Sequence, residues 1–97
     1  MNVLFFGDVV GKIGRKALQG ILPELIERER ADFVIANCEN VAGGAGVDAK
    51  SCDELLRGGV DALTSGNHIW RLREIDDYLD RPQGRLLRPA NFPDDAP

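Results

Sequence analysis

Val60-Asp61-Ala62-Leu63-Thr64-Ser65-Gly66-Asn67-His68 decides how this chain is read. Val60 to Thr64 is short and mostly apolar, as a buried strand is. Gly66 then lets the backbone turn tightly, and Asn67 and His68 follow at once. His68 is the single histidine of the chain. Polar groups just past a parallel strand stand where open α/β sheets hold their ligands. Working outward, two other apolar runs end the same way. Val3-Leu4-Phe5-Phe6 runs into Gly7-Asp8, and Phe33-Val34-Ile35-Ala36 runs into Asn37-Cys38-Glu39-Asn40. Three strand ends carrying oxygen and nitrogen donors are expected to converge on one spot.

Helical patterns separate these strands. From Gly14 to Arg30, Ala17, Leu18, Ile21, Leu22, Leu25 and Ile26 form one apolar stripe, with charged residues mostly outside it. Pro23 lacks an N–H and crowds the preceding turn, so a kink or a restart is expected there. Asp48 to Arg57 reads as a second helix, with Asp48 as N-cap and Gly58-Gly59 as its stop. Ile69 to Leu79 reads as a third, anchored by Ile75, Tyr78 and Leu79. Arg81-Pro82-Gln83-Gly84 is a turn, and Arg85-Leu86-Leu87 a short fourth strand. The order β-α-β-α-β-α-β predicts an α/β fold with a parallel sheet and right-handed crossovers. The run from Asn2 to Phe6 predicts a first strand covered on both faces.

Ninety-seven residues without a dividing linker make one small domain. The 43% apolar content is that of an ordinary globular chain. A net charge of −4 argues against binding the backbone of a nucleic acid. A small phosphorylated substrate is compatible with it, because a bound cation can supply local positive charge. Cys38 and Cys52 have neither disulfide nor zinc-pair spacing, which predicts free thiols in a reducing compartment. No apolar run is long enough for a signal peptide or a membrane span, so a cytoplasmic location without membrane attachment is expected.

The loop Gly7-Asp8-Val9-Val10-Gly11-Lys12 is near two nucleotide-binding loops and matches neither. Only three residues separate its glycines, Ile13 follows Lys12, and no G-x-G-x-x-G run occurs. The segment Cys38 to Val47 has three glycines in four residues. It reads either as a flexible connector or as a loop wrapped round a ligand.

Asp8, Glu39, Asn40, Asn67 and His68 are the candidate site residues. Their carboxylate and amide oxygens suit hard or borderline divalent metals, and imidazole adds affinity for iron, manganese or zinc. Each has an ordinary alternative. A lone Asp past a strand is more often a turn or N-cap residue, an Asn near a turn is often there for left-handed backbone, and a His after Gly is often exposed. Only their joint placement favours a site. A non-catalytic α/β binding or assembly domain of receiver-like type is the alternative. That class wants an acidic pair after the first strand and an Asp after the third, where this chain has Asp8 alone and Asn67.

Four ordered motifs carry a family resemblance. They are Phe6-Gly7-Asp8-Val9-Val10-Gly11-Lys12 with Gly14-Arg15, then Ile35-Ala36-Asn37-Cys38-Glu39-Asn40-Val41-Ala42-Gly43-Gly44, then Gly66-Asn67-His68-Ile69-Trp70, then Leu87-Arg88-Pro89-Ala90-Asn91-Phe92-Pro93. The chain resembles the N-terminal portion of the bacterial YmdB-like metallophosphoesterases, the 2′,3′-cyclic-nucleotide 2′-phosphodiesterase family. The resemblance implies the first half of a calcineurin-like α/β/β/α sandwich, with residues 1–97 as part of a single domain. It implies hydrolysis of 2′,3′-cyclic nucleotides, or of other cyclic nucleotides or phosphodiesters, by a hydroxide activated at a dinuclear metal centre. The cofactors implied are two divalent or mixed-valence metal ions, iron first and manganese as the alternative.

Within that implied centre, Asp8 and Asn40 bind one metal, Glu39 bridges both, Asn67 binds the second, and His68 gives a proton to the leaving oxygen. The Gly43-Gly44 loop and Arg88-Pro89-Ala90-Asn91 shape the rim. Cys38 replaces a glycine usual in the family, which places a thiol beside the metal ligands. The family draws further metal-binding histidines from its second half, so this chain alone is expected to be an incomplete enzyme. Half a sandwich leaves an apolar sheet face bare, which is expected to associate with a second copy or with the missing half.

Overall fold

The computed structural model describes residues 1–43, 45–72, 74–81 and 84–93. Three parallel strands, β1 (Val3–Phe6), β2 (Phe33–Asn37) and β3 (Ala62–Thr64), lie in the order β1-β2-β3. Helix α1 (Gly11–Glu29) joins the first two, α2 (Ala49–Arg57) joins the second pair, and a short α3 (Ile75–Leu79) follows. This is the α/β parallel arrangement that the alternating pattern predicts. Among the described residues no helix is long and apolar enough to cross a membrane.

Register separates the two faces of the sheet. Leu4 pairs with Val34, and Phe6 with Ala36, which pairs in turn with Leu63. These side chains share one face, where Val34, Ala36 and Leu63 are buried with Leu18, Leu22, Cys52 and Leu55 from the two helices. Val3 pairs with Phe33, and Phe5 with Ile35, on the other face. There Val3 is 50%, Phe5 62% and Phe33 38% exposed. The expectation that β1 is covered on both faces is therefore corrected. Both longer helices pack on one side, and a strand this apolar keeps its other side open.

Helix α1 starts at Gly11, three residues before the predicted start, and runs through Pro23 without a restart. Leu18 and Leu22 turn into the core, whereas Ile21 of the same predicted stripe is half exposed. At its end Arg30 takes a left-handed φ of 50°, and the Asn2 side-chain amide donates to the carbonyls of Glu29 and Arg30. The free carbonyls of the helix are thus capped from the start of β1. Asp48 caps α2 as expected, its Oδ1 accepting from Ser51 N–H at 3.2 Å.

Two predicted elements are shorter than expected. The third helix covers only Ile75–Leu79. Upstream, Ile69 N–H donates to Gly66 O and Arg71 N–H to His68 O, bonds of single turns that do not propagate. Packing overrides helical spacing there: Ile69 is buried, and Trp70 meets Phe92 edge-on at 4.8 Å. The fourth strand reduces to one parallel bridge between Leu63 and Leu86. The predicted turn at 81–84 includes Pro82 and Gln83, which lie outside the described residues.

Asp61 secures the entry to β3. Its Oδ2 accepts from the Val34 N–H at 2.8 Å, and its own N–H donates to Val34 O at 2.8 Å. Asp61→Ala leaves the buried Val34 amide without that partner, a loss of about 1–3 kcal/mol of stability. Denaturant unfolding followed by circular dichroism measures it. Glu24→Ala, on the exposed side of α1, is expected to change stability by no more than about 0.5 kcal/mol. Equal losses for the two variants would contradict the assignment.

Candidate functional site

The tips of β1 and β2 are stitched together directly. Val9 N–H donates to Asn37 O and Gly11 N–H to Asn40 O, both at 3.1 Å. Across this seam the Asn40 side-chain amide donates to both carboxylate oxygens of Asp8, each at 3.0 Å. A carboxylate offers only acceptors, so the NH₂ end of Asn40 faces Asp8. Its oxygen then faces His68, whose Nδ1 lies 2.6 Å away. An amide oxygen only accepts, so His68 Nδ1–H is the donor. Glu39 Oε2 lies 3.5 Å from the same nitrogen. Among the described residues the other ring nitrogen, Nε2, makes no hydrogen bond.

Glu39 lies over Gly66. A Cβ added at Gly66 would stand 2.6 Å from Glu39 Cδ and 2.7 Å from Oε2. The φ of Gly66 is not in the left-handed region, so its lack of a side chain serves this close approach. The expected tight turn is present, with Ile69 N–H donating to Gly66 O at 3.1 Å, and the approach of Glu39 is a second reason for the glycine. Asn37 helps aim the acid, its Oδ1 accepting from Glu39 N–H at 3.4 Å.

The structure therefore brings Asp8, Glu39, Asn40 and His68 into one linked cluster. Asn67 is exposed on the same turn and stands outside the hydrogen bonds that link those four. Among the described residues, no three His, Cys, Asp or Glu side chains are grouped so as to hold a metal ion by themselves. Gly44 of the predicted rim lies outside the described residues. Arg88, also of the rim, donates from Nη2 to Asp80 at 2.8 Å.

Cys38 is not an open thiol beside the acids. It is fully buried on the helix-covered side of β2, against Cys52 of α2. The Cys52 thiol is pushed far above its ordinary range, first by its hydrogen bond with Cys38 and then by burial. Neither sulfur is poised to react. A separate hollow, lined by Asp53, Leu56, Tyr78 and Arg81 among others, shares no residue with the cluster. There burial and the 2.8 Å bond to Asp53 push the Tyr78 phenol above its ordinary range.

Two features escaped the sequence reading. One is Gly66 as the floor beneath Glu39. The other is Arg15, which stands in a quoted motif but had no role assigned. It donates to Val41 O at 2.6 Å and to Glu54 Oε2 at 3.1 Å.

The fold of this chain has counterparts among solved structures. The whole chain matches a crystal structure of a hypothetical protein from Thermus thermophilus, with a TM-score of 0.90 and 41% identity, covering 37% of that chain. Over 90% of its length it matches a phosphatase of Mycoplasma pneumoniae, with a TM-score of 0.82 and 35% identity, covering 31% of that chain. Over these spans the chain shares the α/β architecture of both proteins. The family model described as YmdB-like protein matches residues 4–97, and the chain belongs to this family. It is 43% identical over 97 residues to the 2′,3′-cyclic-nucleotide 2′-phosphodiesterase of Bacillus subtilis (strain 168), 36% of which it covers. The chain spans about a third of the length of the curated relatives it matches.

Gly66→Ala is expected to leave the sheet intact and to displace the Glu39 carboxylate, which is the far end of a flexible side chain. The ring resonances of the single histidine report this by NMR, because Glu39 lies beside Nδ1. In a Glu39→Ala background the same glycine change is expected to add almost nothing, as coupled neighbours behave. Equal histidine shifts in both backgrounds would refute the contact.

Proposed function

We propose that the protein to which this chain belongs is a metal-dependent phosphodiesterase acting on 2′,3′-cyclic nucleotides or related phosphodiesters. One observation carries the reading: Asp8, Glu39, Asn40 and His68, from three separate strand ends, are joined over a glycine floor. The names of the relatives point the same way. The receiver-like alternative has no observation in its favour, because Asp8 is the lone acid after β1 and Asn67, not an aspartate, follows β3.

The donor chemistry fits divalent ions. Asp8 and Glu39 offer carboxylate oxygens, Gly66 makes room for the Glu39 carboxylate itself, and Asn67 stands exposed on the adjoining turn. Asp8, Glu39, Asn40 and Asn67 would hold two such ions, iron or manganese, with further ligands from beyond this chain. The Asn40 oxygen has two lone pairs, so it could contribute to an ion while still accepting from His68 Nδ1–H. The chemistry that such ions supply is activation of water as nucleophile and stabilisation of charge on the phosphoryl oxygens. The chain's own part is narrower. Asn40 and Glu39 hold His68 through its Nδ1–H, so that the imidazolium carries its second proton on Nε2, gives it to the departing ribose oxygen and is left as the neutral ring. The bare sheet face of Val3, Phe5 and Phe33 would take the second sheet of the implied sandwich, or a second copy of the chain.

The complete protein, stripped with chelator and reloaded with iron or manganese, tests this. His68→Ala is expected to slow hydrolysis of a 2′,3′-cyclic nucleotide by about 10²–10⁴-fold. The loss on a bis(p-nitrophenyl) ester is expected to be much smaller, since a nitrophenolate departs without a proton. Equal losses on both substrates would overturn the role of His68. No turnover by the loaded wild type would overturn the reading itself.

A further inference from the structure

The turn that carries Glu39 and Asn40 is held at three successive carbonyls. Glu39 O accepts from Gly46 N–H at 2.9 Å, Asn40 O from Gly11 N–H at 3.1 Å, and Val41 O from Arg15 Nη1–H at 2.6 Å. The first two donors are backbone amides. Among these three donors only Arg15 is a side chain. Gly11 and Arg15 are one helical turn apart on α1, so the same edge of that helix holds adjacent carbonyls.

Arg15 is itself fixed. Its Nε donates to Glu54 Oε2 of α2 at 3.1 Å, and its side chain is only 16% exposed. The guanidinium therefore joins α1, α2 and the site-bearing turn. Both contacts use separate N–H groups of one rigid planar fork. Lysine, with a single ammonium tip on a flexible stem, cannot reproduce that geometry. Nor is Arg15 open to an incoming phosphate, since its side chain is mostly covered and already serves two acceptors.

We propose that Arg15 is a positioning residue of the site. It acts on the reaction through Glu39 and Asn40 by fixing the backbone that presents them, with Glu54 orienting it. The inference rests on the functional reading above for its kinetic consequence, though not for its structural one.

Arg15→Met and Arg15→Lys in the complete protein test it with two readouts. The first is amide hydrogen exchange, which needs neither metal nor substrate. The amides of Gly11 and Gly46, bonded to the carbonyls of this turn, are expected to exchange at least ~10-fold faster in both variants, as local opening allows. Leu63, whose N–H donates to Arg85 O in the sheet, is expected to stay within about twofold of wild type. The second readout is steady-state kinetics on a 2′,3′-cyclic nucleotide. For both variants kcat is expected to fall about 10–100-fold, as when the partner of a site residue is removed, with KM changed little.

An equal rise in exchange at Leu63 would show general loosening and overturn the proposal. So would full rescue by Arg15→Lys, which would mean that charge alone suffices. Wild-type exchange together with wild-type kcat in Arg15→Met would overturn it too. Should the wild type hydrolyse no phosphodiester while exchange still rises only at Gly11 and Gly46, the functional reading falls and the positioning role stands.

Discussion

One amide spans the candidate site. Asn40 gives its NH₂ to both oxygens of Asp8 and its oxygen to His68 Nδ1, so the ends of β1, β2 and β3 are fixed relative to one another. Only a side chain with donors at one end and an acceptor at the other can stand between a carboxylate and an imidazole N–H. An aspartate of the same shape would set two negative charges about 3 Å apart, where one of them would have to take a proton. That Nδ1 is the donating nitrogen of His68 thus follows from the far side of Asn40, where Asp8 can only accept.

Around that amide the backbone is committed almost completely. Carbonyls 39, 40 and 41 each have a donor, and Cys38 N–H donates to Thr64 O at 2.9 Å. The described residues of the glycine-rich loop that carry these bonds are consequently tied into the scaffold. Gly46 sits at a φ of 92°, which lets its N–H reach back to Glu39 O and its own carbonyl accept from Ala42. Three neighbours in sequence go to three places: Asn37 to the strand end, Cys38 into the core, Glu39 to the site. Strand alternation sends the thiol to the face already occupied by Val34 and Ala36.

This explains what could be read from the chain before its structure. Parallel β-α-β order, the strand ends and the Asp48 cap follow from periodicity and local hydrogen bonding, which residues declare by themselves. Convergence of Asp8, Glu39, Asn40 and His68 follows from topology, because parallel neighbours end on the same side. The shortened third helix was not legible, since the burial of Ile69 and the meeting of Trp70 with Phe92 are non-local and outweigh helical spacing. Gly66 announced its turn but not its second service, the contact with Glu39, far earlier in the chain. Arg15 was hidden because an arginine on an amphipathic helix looks like any solvated charge until its partners are placed.

The open sheet face and the unfinished donor set belong to one problem. A parallel sheet is ordinarily covered on both faces, and here α1 and α2 cover one. Val3, Phe5 and Phe33 form an apolar surface on the other, and Leu87, past the bridge to β3, is half exposed. The cluster lies at the carboxyl tips of these same strands, along the edge where anything packed on that face would end. On the proposed reading, the element that covers the apolar surface and the element that brings the remaining ligands are the same. Burial of Val3, Phe5 and Phe33 would then supply the free energy that sets those ligands opposite Asp8 and Glu39. The site would form only as the face closes, so assembly of the sheet and competence of the metal centre would be a single cooperative event.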